Sequence, residues 1–172
     1  MRRIMLHKGV NALKRKALTV CVILLLLACV TVTGCFERGS TMYEATDELV
    51  EFVKDKGTFP KMQAADAAVI GEIYGIDLSR IEEYTLVSSS DTLLADEIGV
   101  FRLEDPDYAS TLSRILEARL ASAARAAEHY SPEQYAVIIK TAVKSRGLYV
   151  YYIVNKDSEK LTEQLTARIP LS

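Results

Sequence analysis

The side chains that carry most protein chemistry are scarce in this chain, and their placement restricts what it can catalyse. Its three cysteines, Cys21, Cys29 and Cys35, all fall within the first 35 residues. The rest of the chain has no disulfide, no thiol nucleophile and no thiolate to hold a metal. Beyond the leader the only imidazole is His129, so a Ser-His-Asp triad or a His-rich zinc site would have to be built on one residue. It stands where a long helix is expected to end, a position that suits a capping cation. Asp96-Glu97 is the best carboxylate pair, but neighbours in a strand point to opposite faces and cannot readily share a proton or a substrate. It reads as a charge pair where a strand enters the edge of a sheet. Glu104-Asp105-Pro106-Asp107 lacks the spaced oxygen ligands of a calcium loop and reads as a helix start. Ser88-Ser89-Ser90-Asp91 has hydroxyls without a nucleophile-elbow pattern and reads as a loop. Neither a catalytic set, a metal site nor a cofactor is expected.

The chemistry that the spacing does support is at Cys35, as an acceptor of lipid. Arg2, Arg3, Lys8, Lys14, Arg15 and Lys16 form a basic leader without an acid. An apolar run from Ala17 to Val32 follows, then Val32-Thr33-Gly34-Cys35 and the polar, helix-breaking Phe36-Glu37-Arg38-Gly39-Ser40. A basic start, a short apolar core and a small-residue exit mark a secretory signal, and the core falls short of the ~20 residues of a spanning helix. Val32 to Cys35 resembles the lipobox of bacterial lipoproteins. The resemblance implies that Cys35 receives a diacylglyceryl group on sulfur and that the chain is cut before it. Two acyl chains, at ~0.8 kcal/mol per buried methylene, make a firm anchor. Leu26-Leu27-Ala28-Cys29 is the alternative box. Cutting there would leave Val30-Thr31-Val32-Thr33 as an apolar end and Cys35 as a free thiol, so Cys35 is preferred. An uncleaved signal anchor is the other alternative, and it lacks a stop-transfer pattern. The expected division is residues 1–34 as signal, 35–41 as lipidated Cys and tether, and 42–172 as one domain. It would be lipid-anchored on the extracytoplasmic face of the cell membrane.

Charge narrows the partners. Six of the 21 basic residues lie in the leader, so the chain from Cys35 onward has 15 basic against 23 acidic residues, a net charge of −8. Such a domain is repelled by nucleic acid phosphates and by anionic head groups, and nucleic acid is excluded as a partner. What remains is the membrane, through the anchor at Cys35, and an envelope protein or wall component.

The positioning elements follow from periodicity and caps. Thr41 and Glu44 have capping-box spacing before a helix over 42–56 with Tyr43, Leu49, Val50, Phe52 and Val53 on its apolar side, stopped by Gly57. Ala64 to Tyr74 reads as a second helix. Glu83 to Ser89 and Glu97 to Leu103 have strand composition. Asp105-Pro106 starts a helix running to about His129, with Leu112, Ile115, Leu116, Leu120 and Ala123 at helical spacing. After Ser131-Pro132 the pattern is ambiguous: Tyr135, Ile138, Ile139 and Ala142 fit a helix face, while Val137, Ile139, Thr141 and Val143 alternate. One helical turn and then a strand is expected, hairpinned through Gly147 to a strand over Leu148 to Val154. A last helix covers Asp157 to Arg168. The order α-α-β-β-α-β-β-α predicts an α+β domain: an antiparallel sheet of about four strands in two hairpins, with helices mainly on one face.

From Tyr74-Gly75-Ile76-Asp77 onward the chain resembles a bacterial lipoprotein family known as domain of unknown function 4358. The matching pieces are Ala95 to Phe101, the long helix with Arg119, Tyr130-Ser131-Pro132-Glu133, Gly147 to Tyr151, and Asp157. The resemblance implies the envelope location and the strand reading of Val137 to Lys144, and carries no catalytic residue.

On the strand Leu148 to Val154, Tyr149, Tyr151 and Ile153 share a face. If helices cover only the opposite face, Tyr149 and Tyr151 form an outward aromatic stripe and are the candidate ligand-facing residues. The expected function is a non-catalytic binding module of the envelope. The alternatives are a carboxylate-based hydrolase acting on an envelope polymer and a structural component of a membrane complex.

Overall fold

The structure, a computed structural model, describes residues 43–170. Thr41, the expected signal, Cys29, Cys35 and the tether lie outside the described residues. The described part holds five helices: α1 (Thr46–Lys56), α2 (Ala67–Glu72), α3 (Ala109–Ala127), α4 (Pro132–Ile138) and α5 (Ser158–Arg168). Its five strands are β1 (Met62–Ala64), β2 (Ile81–Ser89), β3 (Glu97–Leu103), β4 (Lys144–Arg146) and β5 (Tyr149–Val154). They form one antiparallel sheet in the order β1-β2-β3-β5-β4. The α+β class and the antiparallel pairing are as the sequence predicts, with β1 as an additional edge strand.

Alternation decides the two faces of the sheet. Phe101, Leu103, Val150, Tyr152 and Val154 point to one side, where they meet Leu112, Leu116 and Leu120 of α3, Ile70 of α2 and Ile138 of α4. Ile98, Val100, Tyr149, Tyr151 and Ile153 point to the other, where Leu49, Val50 and Val53 of α1 and Leu161 and Leu165 of α5 cover them. The helices therefore pack on both faces rather than mainly on one. All six residues of β5 are buried, as expected of a strand sandwiched between two layers.

That second layer overturns the outward tyrosine stripe. Tyr149 and Tyr151 are 1% and 0% exposed, so neither can face a ligand. Each polar tip finds a partner under the helices. The Tyr149 hydroxyl donates to the Glu44 carbonyl, and that of Tyr151 shares a hydrogen bond of 2.7 Å with Thr166 Oγ1. The first and last helices of the described chain supply the cover, and no local pattern in β5 foretells them.

Other boundaries shift for local reasons. No side chain caps α1, which starts after Ala45. Of the expected capping box, Thr41 lies outside the described residues, and Glu44 takes the Arg168 guanidinium, with Nε at 2.6 Å. The helix expected from Ala64 begins at Ala67, where Asp66 Oδ1 accepts the Val69 N–H at 2.9 Å. Asp105 caps as expected, accepting the Asp107 N–H at 2.9 Å, and a 3-10 turn over Pro106–Tyr108 leads into α3. The segment after Ser131 resolves in favour of a helix as far as Ile138, which shortens the expected strand to Lys144–Arg146. Its hairpin with β5 turns through Gly147, at φ 56°, the left-handed conformation a two-residue loop demands at its first position.

Candidate functional site

The polar centre of the domain is built on the layer of α3. Glu97, Gly99 and Phe101 alternate onto that face of β3, and Tyr152 of β5 stands directly across from Gly99. A Cβ on Gly99 would lie 2.5 Å from Tyr152 Cε1. The missing side chain is what lets the Tyr152 ring lie across β3, with its hydroxyl donating to Glu97 Oε1. From α3, Arg119 Nη2 donates to Glu97 Oε2 at 2.6 Å. From the loop after α2, the Tyr74 hydroxyl donates to the same oxygen at 3.0 Å. Gly75, at φ 68°, turns the chain there as glycine does past a helix end. The Arg119 guanidinium lies 3.9 Å from the centre of the Tyr74 ring, close enough for cation–π attraction.

Burial controls the protonation of the two tyrosines that meet Glu97. Glu97 is 5% exposed. Burial raises the Tyr152 and Tyr74 hydroxyls well above their ordinary range, and the Glu97 charge adds to the rise. Both therefore stay neutral and act as donors. Burial is the largest influence on Arg119 and by itself would lower it, but attraction to Glu97, the hydrogen bond to Glu97 and the Tyr152 and Tyr74 oxygens together outweigh it and hold the guanidinium above its ordinary value. A buried carboxylate with a cation and two hydroxyls is a satisfied charge; without them it would be a costly one. With its oxygens committed to three donors, Glu97 is poorly placed to act as a base or nucleophile.

Beside this pair opens a pocket of about 220 Å³, bounded by the β2–β3 loop, α3 and α4. Leu120, Ile138 and Val154 contribute apolar walls, and Asp96, Glu97 and Arg119 the charges. The loop is pinned to α4 by the Ala95 N–H, which donates to Gln134 Oε1 at 2.8 Å. Leu93 and Tyr130, which line the pocket, are 73% and 70% exposed. Asp96 accepts Asn155 Nδ2 at 2.7 Å. Burial raises its carboxyl above the ordinary value, opposed by that hydrogen bond. On the far side of Arg119 lies a shallower hollow with Ile73, Gly75 and Ile115.

The sequence-derived candidates fare unevenly. Asp96 and Glu97 do diverge: one bonds Asn155 and the other Arg119. β3, however, is the middle strand of the sheet, not an edge. As adjacent residues of one segment they do not face each other across the pocket, the arrangement glycoside hydrolysis requires. His129 is exposed, beyond the end of α3, and does not line the pocket. Ser88 lines it without a histidine, and Asp105 is spent on its turn. Among the described residues no group of three or more His, Cys, Asp or Glu side chains could hold a metal ion. None of their helices is long and apolar enough to cross a membrane.

Sequence reading passed over Tyr74, Arg119, Gln134 and Tyr152 as site residues. A signal for two of the partners was present. Arg119 lies three residues after Leu116 and four before Ala123, within the apolar stripe of its helix. Glu97 lies two and four residues before Gly99 and Phe101, on the inward face of its strand. A cation in one apolar face and an anion in another are strong candidates for a buried pair.

Fold and site together define a small α+β domain with a sheet between two helical layers and a tyrosine-clamped ion pair beside a pocket. The chain belongs to the family described as Domain of unknown function (DUF4358), whose model matches residues 55–155. That span contains Tyr74, Asp96, Glu97, Arg119, Gln134 and Tyr152. No curated protein and no solved structure matches the chain.

Proposed function

We propose that this protein is a lipid-anchored, extracytoplasmic module of the cell envelope that binds without catalysis, and that it binds at the pocket beside Glu97 and Arg119. The observation that carries the binding part is the pocket itself: a concave, mixed polar and apolar space whose large apolar side chains, Leu93 and Tyr130, are left in solvent. Large exposed apolar residues clustered at one concavity are a mark of interaction sites. Anchoring is supported by the leader and by Val32-Thr33-Gly34-Cys35, and the absence of an opposed carboxylate pair at the pocket favours binding over hydrolysis.

Two experiments test the two parts. A photo-crosslinking residue at Leu93 in the full chain should capture one specific envelope component, and the same residue at exposed Glu163 on α5 should not. Identical products from both positions would refute binding at this pocket. A labelled fatty acid fed to cells should mark the wild type and not Cys35→Ala. Labelling that persists in Cys35→Ala and disappears in Cys29→Ala would move the anchor to Cys29.

A further inference from the structure

The pocket has a charge imbalance that narrows its occupant, given the binding role just proposed. Of its three charged side chains, Glu97 and Arg119 neutralise each other at 2.6 Å. Asp96 is the third, and among the described residues no Lys, Arg or His comes within ion-pair distance of it. Its hydrogen bond from Asn155 is neutral. Asp96 thus stands at the rim between this pocket and a neighbouring hollow that Asn155 and Lys156 also line, a negative charge with no ion-pair partner in a region that carries −8 from Cys35 onward. An anionic group would be repelled there, and a purely apolar one would strip water from a carboxylate and return no hydrogen bond.

Size and shape select further. About 220 Å³ lies below the ~300–1,000 Å³ of typical small-molecule sites, yet it has room for one long side chain. Leu120, Ile138 and Val154 are apolar walls. Lys and Arg place an aliphatic stem along such walls while their charged heads reach a polar partner. Leu93 and Tyr130 would then meet the backbone and neighbouring residues of the incoming segment, as an apolar surround meets an anchor residue in protein interfaces.

We infer that the pocket takes a lysine or arginine side chain presented by a partner protein, with its methylene stem against Leu120, Ile138 and Val154 and its cationic head at Asp96. The half-buried position of Asp96 strengthens the attraction, because a cation beside it would meet less screening than at an open surface. A second copy of this chain is the competing occupant, and the same measurements separate the two.

The test uses the full chain in detergent and labelled heptapeptides Gly-Ser-Leu-Xaa-Leu-Ser-Gly, read by fluorescence anisotropy. Peptides with Xaa as Lys or Arg should bind at least about tenfold more tightly than the norleucine peptide, the scale of one charge-assisted hydrogen bond. The Glu peptide should bind more weakly than any of them. Asp96→Asn, confirmed as folded by its melt, should bring the Lys peptide to the norleucine level. Equal binding of Lys and norleucine peptides, or no binding of the Lys peptide at millimolar concentration, overturns the inference. So does sedimentation showing a dimer that Tyr130→Ser dissolves. If specific crosslinking at Leu93 persists alongside such results, the binding role stands and only the chemistry of the occupant is wrong.

Discussion

Removing Arg119 tests whether the buried pair is structural glue. Arg119→Met keeps the aliphatic bulk on α3 and deletes the cation, leaving Glu97 facing two hydroxyls. Breaking a buried ion pair from one side costs about 3–5 kcal/mol. Two features reduce that here. The Arg119 side chain is 25% exposed, so part of its attraction is screened, and Tyr74 and Tyr152 still donate to the carboxylate. A loss of about 2–3 kcal/mol follows, a fall in Tm of roughly 10 °C for a domain this size. Glu97→Gln should lose about 1–3 kcal/mol, because the amide turns a donor toward a donor. The double variant should lose clearly less than the sum, since each single change leaves a group unpaired that the other removes. Urea unfolding of the four proteins, followed by far-ultraviolet circular dichroism, gives the cycle. Additivity within about 0.5 kcal/mol, or an Arg119→Met variant as stable as the parent, would refute the view that the pair is coupled and buried.

Other outcomes follow from packing and charge. Replacing Tyr149 and Tyr151 together with Ser should be as damaging in a thermal melt as replacing Val150 and Tyr152 with Ala. All four are buried, and each large truncation costs about 2–5 kcal/mol; a mild effect for the tyrosine pair would contradict the α1–α5 layer. Gly99→Ala should lose about 1–3 kcal/mol by overpacking against the Tyr152 ring, and unchanged stability would show that the ring has room to move. Alkaline pH should also destabilise the domain. Burial pushes Tyr149 from 10.0 up to about 12 and raises Tyr151 and Tyr152 in the same direction. The native state thus keeps phenol protons that the unfolded chain releases. That stability is complete below pH ~10 and is lost as pH rises through the folded values. A Tm that stays flat from neutral pH to pH ~12 would count against buried, neutral tyrosines.

The local signals were legible where chemistry is local. Glu97–Leu103 was readable to the residue as a strand, because β-branched and aromatic content lay between polar flanks. Asp105-Pro106 and Gly147 marked their turns, because a side-chain acceptor, a fixed φ and a permitted positive φ act within one or two residues. The α+β class followed from the order of such segments. Short or mixed segments read less well: β1 has three residues, and Val137–Val143 satisfied both periods until contact with α3 fixed the helix through Ile138.

What the chain determined by itself is most of the elements, the acidity of the region after Cys35 and the absence of thiols beyond it, all properties of residues or of near neighbours. Only tertiary structure decided which faces are covered and which charges meet. Alternation showed that Tyr149 and Tyr151 share a face, but their burial depends on α1, about a hundred residues away. Glu97 and Arg119 are 22 residues apart, and their pairing required β3, α3 and the gap at Gly99 to come into register. A sequence states what each side chain can bond to; the fold decides which partner it finds.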